Sequence, residues 1–214
     1  MFFPQPIFMK GGFIMHLSDG VVSMPIVVAS SAVAGGMLLH STRRIKEVEI
    51  PKISLLSGSF FVLSLISLPV GPTSIHPLLA GLLGIMLGGK AIVAIFIGLL
   101  LQATLFQHGG ISTIGVNTLL LALPALVSYY LFSYLKVKSY FLKGLVAGMM
   151  GVIGCVLLLI TVLYLSSHHY SGGFFSVIRL ILVGYIPLVF IEGLVTGFAV
   201  AFISKSRPKA IASL

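Results

Sequence analysis

Long apolar runs, separated by short clusters of glycine, proline, serine and basic residues, make up almost the whole chain. A helix needs about 20 mostly apolar residues to cross the hydrocarbon core of a bilayer. Runs of this kind predict helices over residues 22–40, 53–70, 78–89, 91–107, 116–135, 144–165 and 177–203. The third is short and glycine-rich. It reads as a tilted or broken helix packed inside the bundle, where protein rather than lipid surrounds the interrupted backbone. The predicted fold is all-α, a polytopic membrane helix bundle of about seven transmembrane helices. No internal repeat stands out, and no hydrophilic stretch is long enough for a second domain.

Composition sharpens this reading. Hydrophobic residues make up 58% of the 214 positions and charged residues 8%, with a mean hydropathy of +1.17. Soluble domains carry roughly 25% charged residues, so a soluble enzyme, a DNA-binding domain and a disordered chain are all excluded. The net charge of +9 arises from 13 Lys and Arg against 4 Asp and Glu. Eleven of the 13 basic residues fall in four segments: Arg43, Arg44, Lys46 and Lys52; Lys90; Lys136, Lys138 and Lys143; Lys205, Arg207 and Lys209. With seven spans these segments share one side of the membrane, and only Lys10 and Arg179 fall outside the pattern. The positive-inside rule then places the N-terminus outside and the C-terminus in the cytoplasm. The charge is thereby explained without nucleic acid. A single cysteine, Cys155, excludes a disulfide framework within the chain.

The histidines show the opposite asymmetry. His16, His76, His108, His168 and His169 fall on the basic-poor side, and only His40 falls with the lysines. Imidazole is the commonest metal ligand. The segment Met15-His16-Leu17-Ser18-Asp19-Gly20 becomes a chelator if the mature chain begins at Met15. The α-amine, the next amide nitrogen and the His16 imidazole then close fused rings around one ion. Such a planar nitrogen set favours Ni(II) or Cu(II) and also holds Co(II), with a fourth nitrogen needed from elsewhere. Residues 1–14 make a poor signal peptide, since two prolines interrupt the apolar run and the only charge comes late. They are expected to be an upstream misassignment of the gene start or a removed extension. That leaves 15–204 as the transmembrane domain and 205–214 as a basic cytoplasmic tail.

Two further segments carry polar chemistry at the same end. Gly71-Pro72-Thr73-Ser74-Ile75-His76-Pro77 breaks the chain after the second span, and a broken helix beside a polar group is a recurring mark of transporter sites. Gln107-His108-Gly109-Gly110-Ile111-Ser112-Thr113-Ile114-Gly115-Val116-Asn117 is unusually polar between two apolar spans. Asp19, Gln102, His108, Thr113 and Asn117 are candidates to orient ligating groups from outside the coordination sphere. His168-His169 reads as a weak accessory site at most. Glu192, an acid inside a span, is a functional candidate by position, with its role open. Gly84 to Lys90 fits G-x-x-x-x-G-K, but Ala91 follows where a phosphate loop needs Ser or Thr, so the chain is expected to have no ATPase of its own. Ala32 and Gly36 form a small-xxx-small pair that admits a close helix, internal or from a partner.

Three motifs in order resemble the CbiM/NikM family, the substrate-binding membrane components of energy-coupling factor transporters for cobalt and nickel. They are Met15-His16-x-x-Asp19-Gly20, Gly71-Pro72-Thr73-Ser74-Ile75-His76, and Gln102-x-x-x-Phe106-x-His108-Gly109-Gly110-x-x-Thr113-x-Gly115-x-Asn117-Thr118. The resemblance runs from Met15 to about Ser204. It implies a metal held by the amine of Met15, the amide and imidazole of His16, and the imidazole of His76. The loop from His108 to Asn117 would pack over that site. Ser18 and the stretch Leu120 to Ala122 depart from the family's usual residues. No prosthetic group is implied, and the bound Co²⁺ or Ni²⁺ is cargo. The implied partners are a transmembrane coupling subunit, two ATP-binding subunits and, as an optional component, a small accessory membrane subunit. Cobalt is preferred over nickel because no fused extra spans follow. The competing classes are a proton-coupled carrier using Glu192 and the histidines, and an intramembrane hydrolase built on Ser112 with His108 or Ser74 with His76.

Overall fold

A computed structural model describes residues 17–66, 68–70, 73–166 and 174–207. Seven α-helices occupy these residues in the predicted order: α1 (Met24–Thr42), α2 (Ile50–Ser64), α3 (Ala80–Leu87), α4 (Ala91–Phe106), α5 (Ile114–Tyr134), α6 (Tyr140–Leu165) and α7 (Phe174–Ser206). Judged by length and apolarity alone, five stretches among the described residues suffice to cross a membrane: Met24–Thr42, Ala80–Phe106, Ile114–Tyr134, Tyr140–Leu165 and Ile181–Ser206. The second of these contains both α3 and α4, and α2 is too short to qualify.

The second helix corrects the prediction. It was expected to run through residue 70 but ends at Ser64, and Leu68–Val70 (β1) pairs antiparallel with Thr73–Ile75 (β2). The cause is local. Pro69 pushes the preceding Leu68 out of the helical region toward extended backbone. Apolar character alone could not reveal this, because a buried strand and a helix end share it.

The short third helix sits in the interior as expected. Every residue of α3 except Leu82 is buried. Glycine permits the approach: a Cβ on Gly84 would stand 1.9 Å from the Ala125 carbonyl oxygen on α5. A Cβ on Gly81 would likewise meet Gly148 Cα on α6 at 2.6 Å. Gly88, at φ +55° with a short 3-10 turn over Gly88–Lys90, reverses the chain, so α3 and α4 form a hairpin rather than one rod. Helices α6 and α7 cross closely through Gly144 and Gly148 on one and Gly193 and Gly197 on the other, the small-residue route by which membrane helices pack without a water-driven force.

The bundle has two chemically distinct ends. At one, the Lys90 ammonium pairs with both Glu49 carboxylate oxygens at 2.5 Å, and Ser41 Oγ donates to the Gly89 carbonyl at 3.1 Å. The ammonium beside Glu49 holds its carboxyl below the usual carboxylate range. This end gathers the basic connections around residues 43–52 and 90. At the other lie residues 17–19, 76–79 and 108–117. The small-residue face of α1 looks away from the bundle. Ala32, Gly35 and Gly36 are exposed, and added methyl groups at Gly35 or Gly36 would meet nothing within 4 Å among the described residues.

Candidate metal centre

His76 is carried by the four residues that join β2 to α3, and it is 3% exposed. Burial pushes its pKa from 6.5 down to about 4. A hydrogen bond to the Pro77 backbone opposes that shift, and the charge of nearby His108 adds to it. An imidazole in such surroundings stays neutral at physiological pH, which is the form that binds metal. The coupling to His108 also shows that the start of α3 and the end of α4 share one end of the bundle. There Gln107 adopts a left-handed conformation at φ 55°, turning His108 back so that its N–H donates to the Gln102 carbonyl at 3.1 Å. The His108 ring lies 6.5 Å from that of Phe106. Inside the bundle, Gln102 Nε2 donates to Ser64 Oγ at 2.5 Å, which ties α4 to the end of α2.

The loop before α5 and the first turn of α5 clamp the chain immediately after His16. Leu17 N–H donates to Asn117 Oδ1 at 2.9 Å, and Asn117 Nδ2 donates to the Leu17 carbonyl at 3.0 Å. The same carbonyl accepts from Thr113 Oγ1 and from Gly110 N–H. Two residues on, Asp19 Oδ1 accepts from Ser112 N–H at 2.9 Å and from Ser112 Oγ. Gly110 is required here, because a Cβ would stand 2.1 Å from Asp19 Oδ1. The hydroxyl of Ser112, one candidate nucleophile, is thus engaged by a carboxylate.

Asn117 and Leu78 line one small cavity together with Leu120, Leu121, Cys155, Leu159 and Tyr185. The residue that fixes Leu17 and the residue two positions after His76 therefore face the same space. Of the sequence-predicted positions, the structure brings Thr113 and Asn117 onto Leu17, ties Asp19 to Ser112, and brings His108 to the neighbourhood of His76. Met15, His16, His168 and His169 lie outside the described residues, as does the side chain of Ser74.

Glu192 was singled out without a partner, and the structure supplies one. Its side chain, 1% exposed, accepts from the backbone N–H of Leu78 and from Leu79 N–H, the latter at 2.9 and 3.0 Å to the two oxygens. Leu79 takes the left-handed conformation at φ 51°, which a leucine adopts only when its surroundings enforce it. That turn aims two successive amides at one acceptor, the arrangement of an anion-binding nest at a helix start. No side-chain pattern could have announced this contact, because the donors are main-chain groups 113 and 114 residues away.

The chain is a multi-pass membrane helix bundle whose strand pair and short buried α3 meet at its histidine end. The chain belongs to the CbiM family: residues 16–210 match the family described as the cobalt uptake substrate-specific transmembrane region. It is 32% identical over 202 residues to a Haemophilus influenzae protein named for metal transport, covering 92% of this chain and 97% of that one. It is 30% identical over 218 residues to the cobalt transport protein CbiM of Kyrpidia tusciae, covering 94% and 88% of the two. A crystal structure of a truncated transition metal transporter superposes with a TM-score of 0.75 at 21% identity, over 89% of this chain and 99% of that one, so the two share a fold.

Proposed function

We propose that this chain captures Co²⁺, in preference to Ni²⁺, at the extracytoplasmic face and delivers it to an ATP-driven energy-coupling assembly. The α-amine of Met15, the amide and imidazole of His16 and the imidazole of His76 form the coordination set. Asn117 and Thr113 hold the chelating segment in place through Leu17. The histidine end faces outward and the Lys90 end faces the cytoplasm, with seven crossings. The exposed small-residue face of α1 and the basic loops receive the transmembrane coupling subunit, and two ATP-binding subunits complete the machine. Relatives named for cobalt transport support the choice of metal.

The observation that carries the reading is the buried His76, two residues before Leu78, which lines the same cavity as the Asn117 that pins the residue after His16. Equilibrium dialysis of His76→Ala against Co²⁺ and Ni²⁺ tests it. Loss of stoichiometric metal with the fold retained is expected. Tight binding that survives the substitution sinks the ligand set. Uptake that persists in ATP-depleted cells with an intact proton gradient would overturn the ATP-driven part of the proposal.

A further inference from the structure

We infer that Glu192 is a positioning residue for metal capture: it fixes the start of α3 and thereby the angle at which His76 meets the ion. This rests on the reading of His76 as a ligand. Only Pro77 separates His76 from the first amide that Glu192 holds. Proline's φ is locked near −65°, so a rotation of Leu78 passes to His76 with little slack. Both carboxylate oxygens take part, and Leu79 N–H reaches each of them. The platform beneath is stiff, since α7 is closely packed on α6 through Gly193 and Gly197, which follow Glu192, and a Cβ on Gly148 of α6 would meet the Glu192 carbonyl oxygen at 2.9 Å. α3 itself is wedged against α5 and α6 by Gly84 and Gly81. The carboxylate is thus the polar join between α7 and the segment that carries His76.

The test uses the full chain in lipid nanodiscs with Ni²⁺ alone as probe. The substitution Glu192→Gln keeps the volume but exchanges one acceptor oxygen for an NH₂ that opposes a backbone N–H. Substituting a residue that orients a metal ligand typically lowers affinity 10- to 100-fold. A rise of about that size in the Ni²⁺ dissociation constant is expected, with a shifted visible absorption band, because the fourth nitrogen is tilted. In metal-free protein, faster hydrogen exchange at the Leu78 and Leu79 amides is expected. Gly197→Ala is the structural control: its Cβ would press on the Phe141 carbonyl at 3.0 Å, away from α3. It should lower the thermal midpoint and leave the band in place. If Glu192→Gln does not fold, Glu192→Asp, which retains two acceptors one methylene further back, should give an intermediate band shift. An unshifted band and wild-type affinity in the Glu192 variant, beside a His76→Ala protein that has lost Ni²⁺, overturn the positioning role alone. Affinity lost only in step with the thermal midpoint, with no band shift, overturns it too. Wild-type Ni²⁺ binding by His76→Ala overturns the ligand reading and this role with it.

Discussion

Replacing Asn117 by alanine should loosen the segment that carries the chelating residues far more than its single side chain suggests. Leu17 is 5% exposed, and its two backbone groups are served unequally. The carbonyl keeps Thr113 Oγ1 and Gly110 N–H after the substitution. The N–H has Asn117 Oδ1 as its acceptor at 2.9 Å. Losing that bond removes about 1 kcal/mol, and stranding a buried donor adds about 1–2 kcal/mol more. The sum, roughly 2–3 kcal/mol, corresponds to about 30- to 140-fold in the docking equilibrium of residues 17–19. Where metal binds only the docked segment, apparent affinity scales with the docked fraction, so this factor is an upper bound on the metal effect. Thr113→Val is the matched contrast. It removes one of three donors to the same carbonyl and should cost about 1 kcal/mol. Hydrogen exchange at the Leu17 amide in metal-free protein, followed by Co²⁺ competition against a chelator, measures both. Equal effects from the two substitutions, or a Leu17 amide as protected in Asn117→Ala as in the parent chain, would refute the reasoning.

Three further outcomes follow from other parts of the molecule. Gly84→Ala should destabilise by about 1–3 kcal/mol or more, because the new methyl would sit 1.9 Å from the Ala125 carbonyl oxygen. Gly36→Ala, in open space on a helix, should be neutral or stabilising by up to about 1 kcal/mol, and thermal melts of the two in one lipid or detergent check the ordering. The metal-free protein should lose stability on acidification partly through His76. Its folded pKa of about 4 lies below the ordinary 6.5, so the unfolded chain takes up the proton first. The contribution is whole above pH 6.5 and declines as pH falls toward 4, on the order of 3 kcal/mol in total. His76→Gln should flatten that part of the profile, and parallel melting curves across the window would contradict it. Lys90→Met should release the connection before α2 from the α3–α4 turn, read as greater proteolysis near Lys46 that added salt reproduces in the parent chain.

The positions of all seven helices were legible in the sequence because a bilayer demands long apolar runs, and the order of those runs survives in the structure from Met24 to Ser206. The two ends were legible as well, since lysine and histidine segregate along the chain and membranes penalise charge between their faces. Gly71 and Pro72 announced a break after the second span, while the earlier end of α2 at Ser64 and the strand pairing beyond it came only with the folded chain. The polar residues Asp19, Thr113 and Asn117 could be picked out by type. What they hold could not, because Leu17 offers its backbone and an apolar side chain gives no hint of that. Glu192 is the clearest case. Its place in an apolar run marked it as exceptional, while its partners are two main-chain amides turned toward it by a left-handed leucine. Side-chain chemistry is written in the sequence. The direction of a peptide N–H is a property of backbone angles, and those are set only when α3 is wedged among α5, α6 and α7.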